Sequence, residues 1–123
     1  MQLTENFHIN EFACKDGTPV PEALYDNVEE LAINLQVIRD FCACPIYLLS
    51  GYRTIDHNKR VGGAKHSQHL LAKAGDLRTT EYTSKELYNI IEELIKIGAV
   101  KQGGLGYYDT FVHYDIRGKK ARW

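Results

Sequence analysis

Gly103-Gly104-Leu105-Gly106-Tyr107-Tyr108 runs through Asp109-Thr110 into Phe111-Val112-His113-Tyr114-Asp115-Ile116, and this stretch decides how the chain folds. A segment ending in Tyr107-Tyr108 and one carrying Phe111, Val112, Tyr114 and Ile116 flank a two-residue turn signal, which predicts an antiparallel hairpin. Side chains alternate along a strand, so Val112, Tyr114 and Ile116 share one face and Phe111, His113, Asp115 and Arg117 the other. One face is apolar. The other sets an imidazole and a carboxylate two residues apart.

Upstream, Thr83 with Glu86 three residues later is a capping box. Leu87, Ile90, Ile91, Leu94 and Ile97 then follow at helical spacing until Gly98. A first amphipathic helix carries Leu24, Val28, Leu31, Leu35, Ile38 and Cys42 at steps of four and three, with Pro21 in its first turn and Pro45 closing it. Asp16-Gly17-Thr18-Pro19 is a turn that ends an N-terminal arm. Ile46–Leu49 and Ala74–Leu77 have the length of short strands. Residues 52–74 lack a sustained period and predict a long ordered loop with one helical turn; loops that long inside a small domain are usually functional. Helices set apart from a late hairpin predict an α+β fold, a small antiparallel sheet with helices packed on one side, in a single domain over residues 1–123.

An apolar fraction of 44% and a charged fraction of 25% are those of an ordinary globular chain. A net charge of −1 and a pI near 6.5 carry no electrostatic footprint for nucleic acid. The basic cluster Arg117, Lys119, Lys120 and Arg122 reads as a solvated tail. Cys14, Cys42 and Cys44 make an odd count without disulfide-framework spacing, and are expected to be reduced thiols. No segment has the character of a signal peptide or the length of a membrane span. Synthesis in the cytoplasm as a monomer is the expectation.

A catalytic zinc site takes three His or carboxylate ligands and leaves a position open for water. His69 and Asp76 lie at the end of the long loop and on the strand after it, separated by small residues that let backbone approach closely. By spacing alone such a pair is commonplace, and His113 adds a third candidate. Three motifs go further: Ser50-Gly51-Tyr52-Arg53-Thr54, then His57-Asn58-Lys59-Arg60-Val61-Gly62-Gly63-Ala64, then Ser67-Gln68-His69 to Asp76. Together with Gly104 to Tyr108, Phe111 to Asp115 and the opening Asn6-Phe7 and Glu11 to Cys14, they resemble the zinc D-Ala-D-Ala carboxypeptidase family of peptidoglycan peptidases. Its relatives include phage endolysin-type murein peptidases and, more distantly, the Hedgehog signalling domain.

The resemblance implies Zn2+ held by His69, Asp76 and His113, and hydrolysis of peptidoglycan stem peptides by metal-activated water. It gives Arg53 the task of gripping the scissile carbonyl or a substrate carboxylate; a structural salt bridge is the plainer alternative. Ser67 matches the family's serine and supports the loop or the substrate. A phage-type lytic protein would act at the cell wall without a signal peptide. Two positions depart from the family. Ala72 stands where relatives have glycine, a change the loop is expected to absorb. Thr110 stands three before the last ligand, where relatives carry the general base. Asp109, one residue away, is the first replacement, with His66 as another; Asp115 is expected to orient a ligand imidazole instead. Tyr52, Tyr107 and Tyr108 either line a cleft or pack. Loss of the base would leave a zinc-bearing binding module without catalysis.

Overall fold

The computed structural model describes residues 1–123. Helix α1, Tyr25–Cys42, buries Val28, Leu31, Leu35, Ile38 and Cys42 of the expected stripe together with Ala32, whereas Leu24 lies before the helix, at the end of a 3-10 turn, and is half-buried. Pro21 does not open this helix: it caps a 3-10 turn, Glu22–Leu24, that runs into α1. Strand β1 is Tyr47–Ser50, one residue later than expected. The long segment after it holds a six-residue helix α2, Ile55–Arg60, capped by the Thr54 hydroxyl, and a 3-10 turn at Gln68–Leu71. Strand β2 follows at Ala74–Arg78 and helix α3 at Ser84–Lys96, whose Thr83–Glu86 capping box forms on both sides. Ile97 lies outside the stripe and is exposed, because the helix ends at Lys96 and the chain turns at Gly98 with φ +77°.

Strands β3, Gly104–Tyr107, and β4, Val112–Asp115, form the expected hairpin. A two-residue strand β5, Ala121–Arg122, completes a sheet of order β1-β2-β4-β3-β5. The first four strands pair antiparallel, but β5 runs parallel to β3, so the sheet is mixed rather than wholly antiparallel. The chain reverses after β4 through Gly118, at φ +89°, and the only free edge it meets is that of β3. The C-terminal basic cluster is correspondingly no solvated tail. Arg122 grips Glu92 of α3 through Nε (2.8 Å) and Nη2 (2.9 Å), and Arg117 grips Asp115, leaving Lys119 and Lys120 in solvent.

One face of the sheet joins α1 and α3 in a continuous apolar core that includes Leu35, Leu77, Ile91, Leu105, Val112, Tyr114 and Ile116. All three cysteines are free and buried. Burial, reinforced by neighbouring Cys44, pushes the Cys42 thiol up to about 11. No helix is long and apolar enough to cross a membrane.

Candidate metal centre

The strand register assembles the site. Asp76 of β2 stands directly opposite His113 of β4, and Gly106 of β3 lies opposite His113 on the far side. Ser50 of β1 pairs with Asp76 across a bulge. These positions share the face turned away from the core, so neighbouring strands deliver a carboxylate and an imidazole side by side. His69 arrives from the 3-10 turn, whose cap, the Ser67 hydroxyl, accepts the His69 amide (3.2 Å). All three side chains are buried, and their ligand atoms lie within 4.8 Å of one another.

The spacing is that of a metal site. Asp76 Oδ1 is 3.3 Å from His69 Nε2 and 3.4 Å from His113 Nδ1. Ligands bonded at about 2.0–2.1 Å in a tetrahedron are themselves about 3.3–3.4 Å apart. The outer contacts set the tautomers. His69 Nδ1–H donates to the Gly51 carbonyl (2.7 Å), which can only accept, and this turns the Nε2 lone pair inward. His113 Nε2–H donates to Asp115 Oδ2 (2.6 Å) and presents Nδ1. The donor set therefore suits a divalent metal.

Asp115 is fully buried and accepts from five groups: His113, the Gly104 amide (2.8 Å), and the Arg117 amide, Nε and Nη2. Burial favours its neutral form, but the hydrogen bonds from His113, Arg117 and Gly104 outweigh it and hold the carboxyl below the usual range. Asp76 behaves alike: burial pushes it up, and His113 and His69 hold it low. Burial opposes charge on His113, yet its bonds to Asp115 and Asp76 prevail and raise its pKa. The glycines of β3 are required here by space. A side chain at Gly104 would run into the Asp115 carboxylate, and one at Gly106 into the Trp123 indole.

Arg53 is held at three points, by Ser50 Oγ (3.0 Å), Asn58 Oδ1 (3.3 Å) and Asp76 Oδ2 (3.2 Å). It thus pairs with the outer oxygen of Asp76 and leaves Oδ1 to the histidines. Its amide also donates to the His69 carbonyl (3.0 Å), so residues 51–53 and His69 brace each other. Buried Asn58 steadies Arg53 and donates to Ala64 O (2.9 Å).

The three residues face a cavity of about 470 Å³, lined also by Arg53, His66, Ser67, Tyr108, Phe111 and Trp123. Tyr108 stacks on Phe111 (4.4 Å between centroids), and Trp123 Nε1–H donates to the Tyr108 hydroxyl (2.9 Å). The Trp123 indole lies against His113, 4.8 Å between ring centroids. Tyr52, by contrast, packs on the core, and Tyr107 meets Tyr88 edge-on. Asp109 is exposed on the hairpin turn and does not line the cavity; nor does Thr110, which lines a neighbouring groove. The arrangement thus does not bring the expected base to the site, whereas His66 does line it. Ala72 adopts φ +56°, the left-handed conformation glycine takes freely and alanine takes at a cost of about 1–2 kcal/mol. The loop keeps its shape and carries that strain.

Sequence reading missed Asn58, the Gly51 carbonyl and Trp123. Asn58 lies within the His57–Ala64 motif and carried no role there, while a backbone carbonyl and a distant indole leave no local signal. Comparison with curated proteins gives no match. The Peptidase M15 family profile matches residues 5–115, a span that contains His69, Asp76 and His113 and leaves Arg117 and Trp123 outside it. With nearly its whole length matched and a buried His–Asp–His centre in place, the chain belongs to the Peptidase M15 family.

Proposed function

We propose that this protein is a zinc-dependent peptidase that hydrolyses peptide bonds of peptidoglycan stem peptides next to D-alanine or a neighbouring D-residue, acting at the cell wall. The observation that carries this reading is the tetrahedral spacing of His69, Asp76 and His113 at the floor of a peptide-sized cavity instead of in a closed core. Bound there, Zn2+ supplies a Lewis acid that polarises the carbonyl and activates water.

The chain's own residues do the rest. Arg53 spends three of its five N–H groups on Ser50, Asn58 and Asp76, and the remainder serve the negative charge that builds on the carbonyl oxygen. Held rigidly, it needs no reorganisation as that charge develops. Asp115 keeps His113 in the tautomer that offers Nδ1. Tyr108, Phe111 and Trp123 form an aromatic wall against which a stem peptide packs. His66, the only imidazole or carboxylate lining the cavity besides the three ligands, takes the proton to the leaving amine; Asp109 does so only if the hairpin turn moves inward.

The test is release of product from purified peptidoglycan and from a D-Ala-D-Ala peptide by the zinc-loaded protein. His66→Gln should slow hydrolysis at unchanged zinc stoichiometry, by the roughly 100-fold or more typical of a lost general base. A comparable loss in Asp109→Asn, with His66→Gln at full rate, would assign the proton to the turn. A second reading, a zinc-bearing binding module without catalysis, draws on Thr110 and on the lack of a second carboxylate in the cavity lining. Bound metal with no turnover on either substrate would favour it.

A further inference from the structure

A second group of metal-binding side chains lies outside the cavity. The ligand atoms of Cys14, Asp16 and His57 come within 4.8 Å of one another. None of the three lines the cavity around His69, Asp76 and His113. Local structure brings them together. Residues 14–18 fold back on themselves, with Cys14 N–H donating to Thr18 O (2.8 Å) and Gly17 N–H to Cys14 O (2.9 Å). Thr54, the cap of α2, donates its hydroxyl to Asp16 Oδ2 (2.9 Å) and accepts the His57 amide (3.2 Å), which seats the imidazole beside the loop. The Thr18 amide donates to Asp16 Oδ1 (2.9 Å). The Thr18 hydroxyl and the Cys14 thiol also turn toward this carboxylate, so the sulfur already lies against Asp16, and a metal bound there takes the place of the thiol proton. The Arg60 guanidinium stands 3.9 Å from Oδ2, but on a solvent-exposed side chain able to swing aside.

We propose that Cys14, Asp16 and His57 bind a second divalent ion of the zinc type, which clamps the N-terminal arm to the segment carrying Arg53. Thiolate, imidazole and carboxylate together suit a borderline-soft metal, whereas calcium and magnesium select all-oxygen sites. Three protein ligands with Asp16 at the surface leave the fourth position to water. The arm backs the first site directly: Tyr52 N–H donates to Phe12 O (2.8 Å), and Gly51, whose carbonyl orients His69, lies against the Phe12 backbone. An ion at this corner therefore stabilises the fold and steadies the residues that aim His69 and Arg53.

The two sites differ in one readable way: only the second contains sulfur. Titration of the metal-free chain with Co2+ should show two equivalents bound, one of them raising a near-ultraviolet thiolate-to-cobalt charge-transfer band. Cys14→Ser, His57→Gln and Asp16→Asn should each lower the stoichiometry to one and remove that band while the visible cobalt spectrum of the first site persists. His113→Ala should do the reverse. Should Cys14→Ser fail to fold, the His57 and Asp16 variants carry the same reading. Binding of a single equivalent without the sulfur band overturns the proposal, as does a band that survives His57→Gln and Asp16→Asn.

Discussion

The two faces of β4 are one residue apart and obey different rules. Val112 and Tyr114 point into the core, where volume and apolarity decide the energy. His113 and Asp115 are equally buried but point into a polar network in which every bond has a direction. The core face tolerates any well-packed substitute of similar size. The site face tolerates almost none, because a removed partner leaves a buried charge uncompensated. Changes on the core face should therefore cost stability and leave metal binding, whereas changes on the site face should cost metal binding and stability together.

The sharpest break of that contrast is His113→Ala, expected to weaken zinc by more than about 100-fold, since even outer partners of metal ligands are worth about 10–100-fold. Equilibrium dialysis of the purified variant checks it; undiminished stoichiometry would remove His113 from the centre. On the apolar side, Leu105→Ala should lose about 2–5 kcal/mol of stability in urea while zinc stoichiometry holds. Asp115→Asn sharpens the comparison from within, weakening zinc by about 10–100-fold with the ligand set intact.

A smaller effect concerns titration inside the core. The folded state holds the Cys42 proton up to about 11, while an unfolded thiol releases it near 8.5–9, so stability is full below that lower value and falls as pH rises through it. The loss should be on the order of 1 kcal/mol between about pH 8 and about pH 10, and Cys42→Ala should reduce it in denaturant titrations. The smallest lies far from both faces. Ala43, exposed at the end of α1 with φ +53°, should gain roughly 0.5–1 kcal/mol on replacement by glycine, with metal binding untouched.

Much of this was legible locally. The Thr83–Glu86 box, the α1 stripe and the alternation of β4 all depend on residues within a few positions of each other, and each appears where its pattern predicts. Strand β5 was not legible, because two residues carry no period and exist as a strand only against the edge of β3. Arg117 and Arg122 resembled solvent charges until their partners, Asp115 and Glu92, were in place. Asp109 is next along the chain to the family's base position, yet adjacent residues in a turn point in different directions, and this one is exposed.

The order of residues thus determined the helices, the hairpin and which side chains have metal-binding chemistry. Tertiary structure alone decided that Asp76 meets His113 across a strand register, that Gly51 O and Asp115 aim the two imidazoles, and that Trp123 returns to wall the cavity. Periodicity is a property of neighbours in sequence. Convergence on one ion depends on register and on chain reversals, and those arise only when distant segments bury surface together.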